Sequence, residues 1–418
     1  MEPVSATCLA GGNVIYFALF SLLTTLLWSQ HRRLSPGALS LVVGLVLATL
    51  AALRGPNVAA DFTVYETWYT YRGDDAGFME RPLFLESIYF LLNDLFATSN
   101  LPFRAFVWVL GLFSVVLKLR AIMGFSQGAV AVAVGFLVYA FTFFLLHDFT
   151  QIRAGLAVAV VFCALPALLR DGNWPLFLLA IVVALGFHSS ALIFFLILLP
   201  LQGRLARWID GVLLGVTAVL FGLALRGVAP GALLMNLLAQ ADPRIALYVS
   251  VAESANAEAA NPLSLPALVL FLLVISMLGM EWGPRHALGA RMSRWFQRLL
   301  ALRGGDSGDS APPLSSTAPA ALARPDPLRV AQARMMRLAR RCILFGLVFL
   351  IAFAPIKEVA LRLFEINIAL LPLLAACLFS YRGLWMPKTA LMLWVAATGY
   401  VYILRDEGLV QSYALYFL

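Results

Sequence analysis

The chain has 418 residues, of which 62% are hydrophobic and only 12% are charged, and its mean hydropathy is +0.89. A soluble globular protein is about half apolar and a quarter charged, so this composition excludes that class. The net charge of +8 does not by itself indicate nucleic-acid binding, because its meaning depends on where the basic residues lie. We predict an all-α, polytopic integral membrane bundle that contacts the lipid bilayer and binds no nucleic acid.

Apolar runs approaching 20 residues recur along the chain, which is the length a helix needs to cross a hydrocarbon core of about 30 Å. They lack the period of two residues that a transmembrane barrel would show. We therefore predict about twelve transmembrane helices, at 13–29, 38–53, 103–120, 129–147, 154–169, 174–187, 189–202, 211–226, 264–281, 342–356, 364–380 and 389–404.

Three regions follow from these spans. Residues 1–282 form a transmembrane bundle with outer loops at 54–102 and 227–263, and residues 342–418 form the C-terminal transmembrane helices. Between them lies a basic loop, 283–341, whose Gly/Ser/Pro/Ala-rich middle cannot bury a core, so we expect it to be partly disordered. Its flanking arginines are expected to lie against anionic lipid headgroups.

One apolar segment, Leu83–Leu95, is not assigned as a span. It contains Glu86, Asn93 and Asp94, which are costly in lipid, so we predict a re-entrant or interfacial helix. Counting it as a span would also move Lys118 to the outer side, against the distribution of the basic residues.

The basic residues set the predicted orientation of the bundle. If the turn after Gln30 lies in the cytoplasm and the spans alternate, 20 of the 30 Lys and Arg residues fall on the cytoplasmic side. Eleven of them are the arginines of loop 283–341, and the other nine are Arg32, Arg33, Lys118, Arg120, Arg170, Arg204, Arg207, Arg382 and Lys388. The outer loops then face away from the cytoplasm.

With this orientation, polar residues from distant parts of the chain collect at the outer ends of the spans. Acids, bases and tyrosines from several loops would share one face, which indicates a common outward-facing cavity. The residues are Asp61, Tyr65, Glu66, Tyr69, His147, Asp148, Gln151, Arg153, His188, Lys357, Glu358, Arg362, Tyr413 and Tyr416.

Each of these signals also has a purely structural interpretation. Arg153 would then extend from a helix end to the headgroups, and His188 would be a satisfied polar residue in a helix turn. The two serines after His188 would cap the next helix, and Arg362 would pair with Glu358 one turn earlier. Composition and spacing thus indicate a polar site at the outer face without identifying its chemistry.

Four stretches in this order carry a resemblance to a known family. They are AADFTVYETWY (Ala59–Tyr69), FTQIRAGLAVAV (Phe149–Val160), GFHSSALIFFLILLP (Gly186–Pro200) and LRLFEINIALLP (Leu361–Pro372), with a weaker fifth in SYALYF near the C-terminus. The set resembles the EpsG/Wzy-type family of bacterial polysaccharide polymerases, and its Phe-His-Ser-Ser-Ala element is the most specific. The chain departs from that pattern at Ala154, where the family has Gln after the arginine.

This resemblance implies a helical bundle related to integral-membrane glycosyltransferases and O-antigen ligases. It implies a membrane glycosyltransferase in the bacterial inner membrane, with its active face in the periplasm. The implied substrates are an undecaprenyl-pyrophosphate-linked oligosaccharide donor and a similar acceptor, and the product is an exopolysaccharide or capsule. Other polysaccharide assembly proteins, such as a flippase or a chain-length regulator, are implied partners.

The resemblance also implies roles on the donor side of the reaction. A departing pyrophosphate needs its charge neutralised as the glycosidic bond breaks, and the planar fork of arginine suits that need. Arg153 and Arg362 fit this role, Lys357 is a third candidate, and Gln151 is a further substrate-binding candidate.

On the acceptor side, a hydroxyl group needs a base. His188 titrates in a suitable range, and Asp61 is the competing base or orients the acceptor sugar. Tyr65 and Tyr69 would stack on sugar rings.

We predict no cofactor and no metal, because no cluster resembles a divalent-metal site and the four cysteines lack metal-ligand spacing. Three alternatives stay open: an O-antigen-ligase-like transferase, a lipid-linked oligosaccharide flippase, and an inert scaffold of a synthase complex. A transporter should carry charges near mid-membrane in repeated halves, whereas these charges are predicted to gather at one face and no repeat is visible.

Overall fold

The computed structural model describes residues 6–55, 58–59, 61–70, 86–228, 240, 260–282, 326–354, 356–381 and 383–399, and these contain helices and no strand. The predicted all-α class is confirmed. A π-helix (Tyr139–Asp148) continues α6, and a 3₁₀-helix (Ser189–Leu198) follows α8. The α-helices are α1 (Ala6–Gln30), α2 (Pro36–Leu53), α3 (Phe62–Thr70), α4 (Ser87–Thr98), α5 (Phe103–Phe125), α6 (Ala129–Val138), α7 (Ile152–Asp171), α8 (Trp174–Leu185), α9 (Gly203–Leu225), α10 (Leu265–Trp282), α11 (Pro327–Ala352), α12 (Lys357–Ile368), α13 (Leu371–Ser380) and α14 (Trp385–Gly399).

Within the described ranges, 6 helical stretches are long and apolar enough to cross a bilayer. They are Pro36–Leu53, Phe103–Phe125, Ala129–Asp148, Ile152–Asp171, Gly203–Leu225 and Val359–Ser380. Three further apolar helices are shorter, and the last predicted span runs beyond the described residues. The total of about twelve spans therefore stays a prediction.

Many large apolar side chains point away from the bundle. Along α9, for example, Trp208, Val219 and Leu225 are 66%, 62% and 72% exposed. Such a surface is unfavourable in water and suits contact with lipid. The helices thus support a multi-pass membrane protein.

The segment Leu83–Leu95 yields α4, which has only 12 residues. That length is well short of the roughly 20 residues that span a bilayer. One face of α4 packs inward through Tyr89 and Asn93, while Leu91 and Leu95 are exposed. The choice between a re-entrant and an interfacial position stays a prediction.

A buried polar network lies where the π-helix ends. The Lys118 ammonium donates to both carboxylate oxygens of Asp148 at 2.7 Å, and the Tyr139 hydroxyl donates to Asp148 Oδ2 at 2.7 Å. Ser114 donates a further hydrogen bond, and all four residues are at most 1% exposed. A Cβ atom at Gly155 would lie 2.9 Å from Asp148 Oδ1, so only glycine lets α7 approach this carboxylate so closely. The network fixes the end of the π-helix, which carries His147 and directly precedes the turn with Gln151.

This network corrects the predicted distribution of charge. Lys118 was assigned to the cytoplasmic side and Asp148 to the outer face, yet their side chains are in direct contact. Both side chains are therefore buried beside each other inside the bundle. Hydropathy could not reveal this, because a buried lysine with a carboxylate partner looks in sequence like a lysine at a span end. This charged pair is buried within the bundle rather than exposed at a loop, which weakens that argument against a transporter.

The N-terminal half of α11 lies across the C-terminal ends of other helices. Gln332 Nε2 donates to Phe125 O at 2.7 Å, at the end of α5, and Arg334 donates to Leu169 O at 2.8 Å, near the end of α7. Carbonyl groups in the last turn lack intrahelical donors and carry partial negative charge, so basic side chains stabilise them.

The prediction of a basic loop at 283–341 is therefore wrong from residue 327 onward. The helix begins at Pro327 rather than at 342, and Arg340 and Arg341 are buried against the Asp210 carboxylate of α9 rather than placed at lipid headgroups. Averaged hydropathy scores these arginines as loop residues, although each has an acceptor inside the bundle. Residues 283–325 lie outside the described residues.

Candidate active site

A cavity of about 320 Å³ opens between α3, the start of α4, the turn before α7, the turn after α8, and α12. Its lining is polar and comes from five separate parts of the chain. The polar lining residues are Asp61, Tyr65, Glu86, His147, Gln151, Arg153, His188, Ser190, Arg362 and Glu365. Three are carboxylates, two are guanidinium groups and two are imidazoles.

The Arg153 guanidinium is enclosed by one carboxylate and three aromatic rings. It forms an ion pair with Glu86, and its Cζ lies 4.5 Å from the ring centroid of Trp68 and 5.6 Å from those of Tyr65 and Tyr89. The side chain of Arg153 is only 16% exposed. Ion pairing and cation–π contact therefore fix the guanidinium in place before any substrate binds.

Glu86 connects this arginine to the turn that carries His188. The second oxygen of Glu86 accepts hydrogen bonds from the backbone N–H of Ser189 at 3.2 Å and from its hydroxyl at 3.3 Å. Backbone contacts hold α4 against the end of α8 at this point, and a Cβ atom at Gly186 would overlap the Ile88 side chain. The sequence pointed to Glu86 only as a charge in an apolar segment.

The hydrogen bonds of His188 determine which of its ring nitrogens carries the proton. The backbone N–H of Ser190 lies 3.1 Å from His188 Nδ1, and the Ser190 hydroxyl lies 2.9 Å from the same atom. A backbone N–H can only donate, so Nδ1 must accept and the proton of the neutral ring sits on Nε2. In this tautomer Nε2 of His188 can donate a hydrogen bond but cannot accept a proton.

Asp61 and Arg362 face each other across the mouth of the cavity. Arg362 Nη2 lies 3.7 Å from Asp61 Oδ2, and the two side chains are 44% and 28% exposed. This separation is longer than that of a tight charge-assisted hydrogen bond, which is about 2.7–2.9 Å. The pair is therefore loose and accessible, unlike the enclosed pair of Arg153 and Glu86.

The inner end of the cavity contains Gln151, Glu365 and His147. Gln151 Nε2 donates to Glu365 Oε2 at 3.4 Å, and Gln151 is 7% exposed. His147 is 1% exposed, and its Nδ1 has no hydrogen-bond partner among the described residues. Orphaned buried polar atoms are rare in proteins and call for an explanation. Sequence reasoning gave Glu365 no role.

The sequence profile of the EpsG family matches residues 37–285. The chain belongs to the EpsG family. The match supports a polysaccharide-polymerase-type function and a glycosyltransferase-like activity in a multi-pass membrane protein, and it includes Asp61, Arg153 and His188. It ends before α12, so it does not include Arg362, which was predicted from its own sequence element, or Glu365, which enters the site on structural grounds alone. No curated protein and no solved structure matches this EpsG chain.

Six of the eight predicted site residues line the cavity of this EpsG protein: Asp61, Tyr65, Gln151, Arg153, His188 and Arg362. The structure therefore brings together parts of the chain that the sequence could only propose as neighbours. Their catalytic and binding roles stay predictions.

The two remaining predicted residues are not among those lining the cavity. Tyr69 is 7% exposed, donates its hydroxyl to Leu101 O at 2.6 Å, and packs on Phe103 and Phe106. Tyr69 is therefore packed as a core residue and does not present its ring for stacking on a sugar. Lys357 is exposed at the start of α12. Tyr413 and Tyr416 lie outside the described residues.

No group of three or more His, Cys, Asp or Glu residues that could hold a metal ion occurs in the part of the chain that the structure describes. Metal independence of this EpsG protein stays a prediction.

Burial in this EpsG site lowers the pKa of His188 from 6.5 to about 4, since desolvation disfavours the charged ring more than Glu86 favours it. We therefore expect the imidazole to stay neutral from about pH 5.5 to 8. The Cε1–H resonance of His188, assigned by loss in His188→Gln, should not shift over that range. In the unfolded chain this imidazole binds a proton as pH falls below about 6.5, whereas in the folded protein it does so only near pH 4. The stability of the protein should therefore fall as pH drops from about 6.5 towards 4. A titration midpoint near 6.5 in the folded protein would contradict this result.

Proposed function

We propose that the chain is a polysaccharide polymerase that joins undecaprenyl-pyrophosphate-linked repeat units on the periplasmic face of the inner membrane. Membership of the EpsG family supports the polymerase. The observation that carries the proposed chemistry is the pair at the cavity mouth. The half-exposed guanidinium of Arg362 lies 3.7 Å from the carboxylate of Asp61. A side chain that can bind phosphate therefore lies beside one that can accept the proton of a hydroxyl group.

In this proposal the Arg362 guanidinium binds the pyrophosphate of the donor. It is the more accessible of the two guanidinium groups, at 44% against 16% for Arg153. The loose contact with Asp61 leaves donors of its planar fork available to phosphate oxygens, which arginine binds in a bidentate manner. Neutralising the leaving group as the bond breaks stabilises the transition state.

Asp61 is the base in this proposal. The acceptor hydroxyl oxygen attacks the anomeric carbon of the donor sugar, and its proton passes to the Asp61 carboxylate. The bond between the anomeric carbon and the pyrophosphate oxygen breaks, and the electron pair leaves with the pyrophosphate. His188 cannot take the proton in its neutral form, because its Nδ1 is occupied by the Ser190 N–H and its Nε2 carries the hydrogen.

His188 and Arg153 act differently from the roles expected on sequence. The Nε2–H group of His188 donates a hydrogen bond to the substrate. Arg153 holds Glu86, and Glu86 holds the backbone of Ser189, so the arginine positions the turn that presents His188. Arg153 is thus a positioning residue in this proposal.

The proposal is tested with purified protein in proteoliposomes supplied with lipid-linked repeat units. Arg362→Gln is expected to weaken donor binding about 10–100-fold, because a hydrogen bond to a charged group contributes about 1.5–3 kcal/mol. Lys357→Gln is the matched control, since it removes an exposed cation from the same helix without touching the cavity lining. Polymer length on gels and released prenyl pyrophosphate are measured together. Wild-type protein that makes no polymer and releases no pyrophosphate would refute the function.

A further inference from the structure

A second cavity, of about 660 Å³, lies between the end of α1, the start of α6 and the end of α13. Two apolar stretches connect it to the region of the candidate active site. The stretch Ala129–Asp148 begins at the second cavity and ends beside the first one, at His147. The stretch Val359–Ser380 begins near Arg362 and ends at the second cavity. Both stretches are long enough to cross a bilayer, so the two cavities lie at opposite membrane surfaces.

The charge of the second cavity comes from two arginines. Arg32 and Arg33 belong to the turn after α1, line the cavity and are exposed. Its lining includes no carboxylate among the residues that the structure describes, and no described carboxylate forms an ion pair with either arginine. The planar fork of donors in arginine matches the oxygens of a phosphate group. The lining therefore favours an anion, and its donors suit a phosphate.

The start of α6 adds positive potential to the same cavity. Gly128 precedes this helix with a φ of 93°, a conformation that favours glycine, and no side chain caps the helix. Gly128, Ala129 and Val130 all line the cavity, so the first N–H groups of the helix lie beside it. A Cβ atom at Gly128 would have nothing within 4 Å, which shows open space there. An anion in that space would interact favourably with the helix dipole.

Contacts between the helices hold the lining in place. Ser380 Oγ accepts a hydrogen bond from Gln127 N–H at 2.7 Å and so joins the start of α6 to the end of α13. The Arg329 guanidinium lies 4.6 Å from the ring centroid of Tyr381, and Lys388 Nζ donates to Tyr381 O at 2.7 Å. The cavity is thus formed without a ligand, and two further cations contact one of its lining residues.

Two exposed apolar side chains also line the second cavity. Trp28 and Val130 are 57% and 54% exposed. Tryptophan is enriched where membrane helices meet the headgroups. A free phosphate ion would gain nothing from these side chains, whereas the glycerol and acyl chains of a phospholipid would cover them. The volume of about 660 Å³ also exceeds what a phosphate ion needs and suits a whole headgroup.

From these observations we infer that the second cavity binds the headgroup of an anionic phospholipid, with Arg32, Arg33 and the start of α6 around its phosphate. In the predicted orientation this lipid belongs to the cytoplasmic leaflet. A zwitterionic lipid carries the same phosphate but brings a cation towards the two arginines, so it should bind more weakly. The site is separate from the candidate active site and does not depend on the proposed function.

The test is native mass spectrometry of the full-length protein in detergent, with added phosphatidylglycerol or phosphatidylcholine of the same acyl chains. Wild-type protein is expected to bind phosphatidylglycerol roughly 10-fold more tightly. Replacing both Arg32 and Arg33 by glutamine should weaken the binding of phosphatidylglycerol about 10-fold and remove the preference. Excess inorganic phosphate should not displace the bound lipid.

Two further variants separate this site from a generally basic surface and from misfolding. Arg204→Gln with Arg207→Gln is the matched control, because it removes two exposed arginines at the start of α9, outside the cavity lining, and should leave the preference unchanged. Ala129→Glu puts a carboxylate where the phosphate would lie and should abolish the preference. A carboxylate in the first turn of a helix is stabilising, so this variant should fold.

Four results would overturn the inference. They are equal binding of the two lipids by wild-type protein, equal losses in the two arginine double variants, a preference that survives in Ala129→Glu, and displacement of the lipid by inorganic phosphate. The proposed function is judged separately by polymer formation from lipid-linked repeat units, so either can fail while the other stands.

Discussion

Replacing Asp61 by asparagine is expected to slow polymerisation by about 10²–10⁴-fold while donor binding survives. The amide has the shape of the carboxylate but cannot take the proton of the acceptor hydroxyl. Asp61 stands beside Arg362 at 3.7 Å, so its loss leaves the guanidinium available to the phosphates rather than disabling it. Turnover and donor affinity would be measured separately, by single-turnover product formation and by calorimetry with the lipid-linked repeat unit.

The comparison with His188 decides which residue is the base. His188→Ala removes a hydrogen-bond donor and is expected to reduce turnover less than Asp61→Asn does, because the Nδ1 of this ring already accepts from Ser190 N–H. Asp171→Asn, an exposed change at the end of α7, serves as a neutral control. If His188→Ala abolishes turnover and Asp61→Asn does not, the histidine is the base and the tautomer argued here is wrong.

Hydropathy was sufficient to predict the positions of most of the apolar helices but not the basic half of α11. Predicted spans at 103–120 and 154–169 correspond to Phe103–Phe125 and Ile152–Asp171. The helix predicted from 342 begins at Pro327, because Gln332 and Arg334 donate hydrogen bonds to carbonyls at the ends of α5 and α7. An averaged score cannot distinguish a polar side chain that caps a helix end from one in solvent.

Residues of the site were predictable one at a time, but their pairing was not. Asp61, Arg153 and His188 were identified as polar groups at the ends of apolar runs, and the family pattern supported them. The partner of Arg153 is 67 positions away at Glu86, and the partner of Gln151 is 214 positions away at Glu365. Contacts at such separations leave no periodic signal in a single sequence.

Tyr65 and Tyr69 of α3 also show that a single sequence does not reveal which side chains pack against other helices. They are four residues apart, so helical spacing predicts a shared face, and both were expected to stack on sugar. Tyr65 lines the cavity, whereas Tyr69 is packed against Phe103 and Phe106 of α5. The position of α5 relative to α3 decides this difference, and that packing is a property of the whole bundle.

Replacing Lys118 by methionine is expected to destabilise the protein by about 3–5 kcal/mol. The methionine fills nearly the same volume but leaves the Asp148 carboxylate buried without the cation that contacts both of its oxygens at 2.7 Å. The remaining hydrogen bonds from Ser114 and Tyr139 do not neutralise the charge. The free energy of unfolding would be measured by denaturant titration in detergent micelles.

The double variant distinguishes an uncompensated charge from lost packing. Adding Asp148→Asn to Lys118→Met removes the buried charge. The amide oxygen accepts from one of the two hydroxyl groups, Ser114 or Tyr139, and the amide nitrogen donates to the other, so most of the stability should return. Lys357→Met, an exposed change, should have almost no effect. Because Asp148 directly precedes the turn that carries Gln151, the single variant should also lose binding of the lipid-linked donor, and the double variant should regain it. If the double variant is as unstable as the sum of the two single changes, the ion pair is not what holds the end of the π-helix, and packing around Gly155 becomes the explanation.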